Sequence, residues 1–366
     1  MLMVRLSRES SEMAEFKFRL PLGNELSRQQ QRAIDSKQPI FLTGVPGSGK
    51  TVVSVYRLKN TNNSILFTYG KLLRLAIDNT IDDDSKVVEN IHNWNWKIEK
   101  IYLEERISEE KLSNTISFFK ERCNYEYIMV DEGQDLELNV YKLLRELTSN
   151  LSVSADNAQK VYENGVMEEE IIKVIPNLKK IELNQNFRNS FEIYNFAKEF
   201  VPNNSRANDS NMLEKFTQGE ADKPYVYLVS ILNKTFEVIK KIIDNNQGLN
   251  IGILSTDILT VETYTKELSK YYDISSYASK DKGIPKDLKN ILITTFKSSK
   301  GMEFDIVIMP QIQYLNEKDL HQYYIGATRA KTELYFLAIG KLPTIVENMD
   351  TSTYILKNEL DNTRSL

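Results

Sequence analysis

Cysteine is all but missing: a single residue, Cys123, stands in 366. That removes an internal disulfide framework and any cysteine-rich zinc centre. Histidine is nearly as scarce, and His92 and His321 alone cannot assemble a histidine-based metal site. No stretch approaches the length of apolar chain that a membrane helix needs. The opening MLMVRLSRES has too short an apolar run for a signal peptide, so the expectation is a soluble, cytoplasmic protein. Strong net charge is missing too. With 47 basic residues against 51 acidic ones the formal charge is −4, and no global field draws the chain towards nucleic acid, although a local basic groove is compatible with that balance. What is present is ordinary for a globular protein: 41% hydrophobic and 27% charged residues, in a chain long enough for two domains.

Apolar, β-rich runs recur between amphipathic stretches of helical length. They are PIFLTG (39–44), SILFT (64–68), YIMVD (127–131) and LSVSA (151–155), then IEL (181–183), YVYLVS (225–230), NIGIL (250–254), ILITTF (291–296), DIVIMP (305–310) and ELYFLA (333–338). Strands alternating with helices predict an α/β fold with largely parallel sheets flanked by helices. The expected organisation is an N-terminal extension (1–24), a first α/β unit (25–178), a second (179–340) and a C-terminal tail (341–366). VIPNLKK (174–180) is the expected junction.

Gly44-Val-Pro-Gly-Ser-Gly-Lys-Thr51 lies between a predicted strand and a predicted helix, and matches G-x-x-x-x-G-K-[ST] in the context that pattern requires. Glycines such as Gly44, Gly47 and Gly49 let backbone N–H groups face phosphates, and the helix N-terminus adds partial positive charge. Lys50 is placed to reach the β- and γ-phosphates and Thr51 to hold Mg²⁺, so ATP and Mg²⁺ are the expected ligands. The stretch YIMVDEGQDL (127–136) then explains itself. Three acids crowded at a strand tip repel unless a cation shares the site. A nucleotide site needs a second metal ligand, which suits Asp131, and a group to orient the attacking water, which suits Glu132.

Several further stretches resemble superfamily-one DNA helicases of the UvrD/Rep type. DEGQD (131–135) resembles their DExQD box. LSRQQQRAI (26–34) resembles their adenine-reading segment, which would put Gln30 against the base. SADNAQKVY (154–162) resembles a motif in which Gln159 would sense the γ-phosphate. LNQNFRNS (183–190) is similar to one that would give Phe187 for stacking on adenine and Arg188 for the γ-phosphate. ITTFKSSKGMEFD (293–305) carries Gly301 and would place Glu303 on the ribose, and YIGATRAK (324–331) would supply Arg329 as a second arginine finger. The resemblance implies two RecA-like P-loop domains with the ATP site at their interface. It also implies ATP hydrolysis coupled to domain closure, since an arginine at the transferred phosphoryl group is worth roughly 10³–10⁵ in rate.

For nucleic acid, ILFTYGKLL (65–73) resembles a motif offering Thr68 to a phosphate and Tyr69 to a base. NIHNWNW (90–96) would add His92 and Trp94, and Lys297 with Ser298 would touch phosphate. Lys282, Lys286, Lys289, Lys297 and Lys300 give the second unit a locally basic stretch, of a kind that is more often simply solvated. The chain also departs from the family. YENGV (162–166) lacks the usual aromatic and arginine, Lys297 replaces a histidine, and the large inserted domains are reduced to at most a small helical piece around 96–123. These departures argue against processive unwinding.

The leading expectation is therefore an ATP-dependent translocase or helicase acting 3′ to 5′ on single-stranded DNA, with RNA as the alternative strand. The second is an ATP-gated nucleic-acid-binding switch working with a partner protein such as a nuclease or toxin. A P-loop kinase or GTPase lacks support, because no N/T-K-x-D guanine-reading box is present.

Overall fold

A computed structural model describes residues 15–16, 18–81, 83, 85–91, 125–155, 166–201, 222–278, 285 and 287–359. His92, Trp94, Gln159 and the expected helical piece at 96–123 lie outside the described residues.

The first part of the chain runs α1 (Arg28–Ile34), β1 (Ile40–Gly44), α2 (Lys50–Asn60), β2 (Ser64–Thr68), α3 (Lys71–Asp78), β3 (Val87–Asn90), β4 (Tyr127–Val130), α4 (Leu138–Leu147), β5 (Asn150–Ser154), α5 (Glu168–Val174) and β6 (Lys179–Leu183). Helix α1 starts where Ser27 accepts a hydrogen bond from the Gln30 N–H while the Gln30 side chain accepts from the Ser27 N–H, a reciprocal cap legible as S-x-x-Q. Strands β2, β4 and β5 are almost wholly buried, as strands covered on both faces must be, and β2 and β4 are mainly apolar. All pairings are parallel, in the order β3-β2-β4-β5-β1-β6.

The second part runs α6 (Phe191–Ala197), β7 (Tyr225–Val229), α7 (Leu232–Asn245), β8 (Ile251–Ser255), α8 (Ile258–Leu268), β9 (Ser275–Tyr277), β10 (Ile291–Thr295), β11 (Phe304–Pro310), α9 (Leu320–Ala327), β12 (Ala330–Ile339), α10 (Thr344–Glu347) and β13 (Ile355–Asn358). Its seven strands are parallel, in the order β13-β7-β12-β11-β8-β10-β9. The expected α/β class with two parallel sheets flanked by helices is the fold observed.

Two strands sit elsewhere than the expected boundaries put them. Strand β6, placed by sequence at the start of the second unit, pairs with β1 along its whole length and forms an edge of the first sheet. Its exposed Lys179 and Lys180 are the charged residues that suit an edge. Strand β13, inside the expected C-terminal tail, pairs with β7 and edges the second sheet.

One apolar cluster runs through both parts. It joins Leu66, Leu72, Leu73 and Met129 from the first to Phe196, Phe296, Phe304 and Phe336 from the second. The turn between β10 and β11 docks directly on α3. A Cβ added at Gly301 would lie 2.4 Å from Leu73 Cδ2, and one at Gly70 would lie 3.2 Å from the Lys300 carbonyl oxygen. Glycine is needed at 301 on both counts, since its φ is +79°.

Candidate nucleotide-binding site

The loop joining β1 to α2 is built on left-handed glycines, Gly47 at φ +74° and Gly49 at +84°, and its neighbours close on it where side chains would be. A Cβ at Gly47 would meet Asn186 Oδ1 at 2.5 Å, and one at Gly49 would meet Gln30 Nε2 at 2.4 Å. Gly44 is as crowded, with the Leu183 carbonyl oxygen 2.2 Å from its would-be Cβ. Lys50, at the first turn of α2, donates to the carbonyls of Gly44 (2.7 Å) and Val45 (3.2 Å), which holds its ammonium over the loop. The buried Ser48 hydroxyl has no hydrogen-bond partner. A cradle of positive-φ glycines, a lysine over it and an unsatisfied buried hydroxyl inside it fit a triphosphate.

Beside the loop, Thr51 donates from Oγ1 to Asp131 Oδ2 at 2.7 Å, and the Ser154 hydroxyl makes a short hydrogen bond to Asp131 Oδ1. The strand order explains the meeting, because β4 and β5 are neighbours and β5 adjoins β1. Burial, and secondarily the charge of Glu132, push the Asp131 carboxyl up to about 6. A hydroxyl and a carboxylate are hard oxygen donors of the kind that complete Mg²⁺ when phosphates supply other ligands. Among the described residues no cluster of three or more histidine, cysteine or acidic side chains forms a separate metal centre.

Glu132 leaves β4 in the left-handed region, at φ +57°, which is costly for a non-glycine residue. Its carboxylate accepts from Gln134 Nε2 at 2.6 Å and lies 3.4 Å from Lys300 Nζ. Burial disfavours its charge, yet Lys300, Lys50 and Arg329 together with the Gln134 bond outweigh burial and hold it well below the ordinary carboxylate range. Lys300 also makes a short ion pair with Asp135. This corrects the reading of Lys300 as part of a solvated basic stretch: its side chain is 3% exposed and neutralises the acid cluster from the second part of the chain.

Arg188 donates through Nε (2.8 Å) and Nη2 (2.5 Å) to Glu303 Oε1, and through Nη1 to the Thr328 carbonyl (3.2 Å). Arg329 is buried, donates from Nε to the Ile325 carbonyl at 3.0 Å, and its charge bears on both Glu132 and Glu303. The Phe187 N–H donates to the Gly47 carbonyl at 2.9 Å. Gln30 donates from Nε2 to the Ser48 carbonyl at 3.0 Å, besides capping α1. A cavity of about 450 Å³ collects Gln30, Gly47, Gly49, Phe187, Arg188 and Glu303 in its wall. Gly301 stands apart, packed on Leu73.

The expected nucleic-acid residues are less uniform. Thr68 is completely buried, and its hydroxyl donates to the Gly70 carbonyl at 3.2 Å. Tyr69 is half-buried, with Asn90 Nδ2 donating to its carbonyl at 2.7 Å. Lys297 is exposed and Ser298 partly so, hydrogen-bonded to Thr295 Oγ1 at 3.0 Å.

Sequence reasoning passed over Ser154, Gln134, Asn186 and Asn189 as site residues. Asn186 Oδ1 accepts from the N–H groups of Arg188 (2.9 Å) and Asn189 (3.0 Å), which shapes the turn that carries Phe187 and Arg188. The repeated asparagines of LNQNFRNS were the available signal, since asparagine side chains make such local turns.

Comparison with known proteins bears on the same segments. The model of the UvrD-like helicase C-terminal domain matches residues 290–337. The chain is 25% identical over 213 residues to the ATP-dependent DNA helicase PcrA of Staphylococcus aureus, covering 54% of this chain and 29% of the relative. It is 33% identical over 119 residues to DNA helicase II of Haemophilus influenzae, covering 31% and 16%. It thus spans less than a third of the length of these curated relatives. Among solved structures, the PRRSV helicase aligns over 85% of this chain and 54% of its own, at 12% identity and a TM-score of 0.41.

Proposed function

Because the chain is a relative of superfamily-one helicases of the UvrD/Rep type, we propose that it is an ATPase that couples hydrolysis at the interface of its two sheets to movement along single-stranded DNA. One observation carries the reading. The cavity beside the phosphate loop is walled by Gly47 and Gly49 from the first part of the chain and by Glu303 and Lys331 from the second, so a ligand bound there would touch both parts.

In this reading Gln30 and Phe187 receive the base, Glu303 the ribose, and Lys50 with the loop N–H groups the β- and γ-phosphates. Thr51 and Asp131 would hold Mg²⁺, which would supply charge neutralisation at the transferred phosphoryl group. Glu132 orients water by accepting its hydrogen bond. A carboxylate held so low is a weak proton acceptor, and loose phosphoryl transfer asks mainly for positioning. Arg188 releases Glu303 as the nucleotide arrives, and Arg188 and Arg329 stabilise the transition state from across the interface. Lys297, Ser298 and Tyr69 form the strand contacts, with 3′-to-5′ movement as the expected polarity.

A second reading, an ATP-gated clamp serving a partner protein, is favoured by the economy of the second sheet. Among the described residues from β7 to β13, the elements follow one another through short connections and add no further domain.

The test is ATP turnover with and without single-stranded DNA, beside Lys50→Ala. Strong stimulation, abolished in the variant, is expected. Turnover by Lys50→Ala equal to the unaltered chain would sink the proposal. Stimulated turnover without strand displacement would select the clamp.

A further inference from the structure

The segment before α1 does something that no motif assigns to it. Phe16 donates its N–H to the Leu288 carbonyl at 2.8 Å, is buried, and packs edge-to-face on Phe304 with centroids 5.7 Å apart. Glu15 makes an antiparallel bridge to Lys289. Arg19 Nη1 lies 3.4 Å from Asp305 Oδ1. All these contacts are to the second part of the chain. Within a few residues the same segment grips the first part. Thr80 donates to the Phe18 carbonyl at 3.4 Å, and the Tyr56 hydroxyl, on α2, makes a short hydrogen bond to the Pro21 carbonyl. Between these two sets of anchors, Arg19, Leu20 and Pro21 line the cavity that also holds Gln30, Phe187 and Glu303.

We propose that residues 15–16 and 18–21 form a strap across both parts of the chain whose Arg19-Leu20-Pro21 stretch is the outer wall for the base and sugar of the bound nucleotide. The proposal rests on the nucleotide reading above and adds to it the residues that close the pocket. The apolar members of the lining are Leu20, Pro21, Val52 and Phe187, from three separate segments, and a planar base needs apolar surface on both of its faces. Phe187 is held to the phosphate loop through its N–H bond to Gly47, which leaves Leu20 and Pro21, with Val52 of α2, as the apolar surface for the other face. Arg19 adjoins Glu303 and Lys331 at the sugar end, where a small side cavity lined by Phe18, Asn250, Phe304 and Asp305 continues. Its ion pair with Asp305 fixes the strap at that end.

The full-length chain, with Arg19→Ala, Leu20→Ala and Lys50→Ala, would be titrated with ATP by calorimetry, with inorganic tripolyphosphate as competitor and a thermal melt on each variant. Arg19 is 57% exposed on its side chain, so its truncation leaves the core intact even if Leu20→Ala proves unstable. Leu20→Ala is expected to weaken ATP about fivefold or more, the scale of losing part of an apolar wall, and Arg19→Ala to weaken it by loosening the strap's tie to Asp305, while tripolyphosphate competes as in the unaltered chain. Equal loss for both ligands would overturn the assignment to the base and sugar end. Unchanged ATP affinity in folded strap variants, with binding lost in Lys50→Ala, would overturn the strap and leave the nucleotide site standing. No ATP binding by the unaltered chain would overturn both.

Discussion

Lys300 is a buried cation between two carboxylates, with its own side chain 3% exposed and that of Asp135 wholly buried. Charges removed from water are tolerated only while each has its partner, and taking one away strands the rest. Lys300→Met should therefore cost about 3–5 kcal/mol in urea unfolding, and Asp135→Asn placed in the same chain should return part of it. Strictly additive losses would mean that the two groups are not coupled. The role was not legible in sequence, because the partner lies 165 positions away and a lysine in a lysine-rich stretch reads as solvated. The burial of Thr68 was not legible for a related reason. Its motif fixed the residue type, but burial at the end of β2 depends on Gly70 and on what docks above it.

At the scale of elements, Asn189 is the joint between the turn after β6 and the start of β12. It is fully buried and donates from Nδ2 to the carbonyls of Thr328 (3.2 Å) and Ala330 (2.6 Å). Asn189→Ala should lose about 1–3 kcal/mol by leaving buried carbonyls unpaired. Asn189→Asp, which sets an acceptor against acceptors, should lose more by the same measurement, and the reverse ranking would count against this account. Elements whose signal is local were readable. The phosphate loop declares itself by glycine spacing between an apolar strand and a helix, and most buried strands declare themselves as apolar runs. Short β3, β9 and β13 carry little apolar sequence and were not foreseen. Nor could β6 show from its own residues that it belongs beside β1, because sheet order is set by where the chain crosses over.

For the molecule as a whole, a ligand that binds only when both parts are folded and apposed stabilises them together. A non-hydrolysable ATP analogue with Mg²⁺, at a hundredfold excess over its Kd, should raise unfolding stability by about 2.7 kcal/mol, and the gain should vanish in Lys50→Ala. A gain confined to one of two separate unfolding transitions would place the ligand in a single part. Chain connectivity bears on what such a ligand can drive. Among the described residues the chain links the two parts at two separated places. One is the segment from β6 to α6, and the other is by contact, through Phe16 seated on Phe304 and Pro21 held by Tyr56. Two parts tied at separated points would swing about the line through them more readily than slide past each other. In the proposed motor, successive openings would then follow one arc.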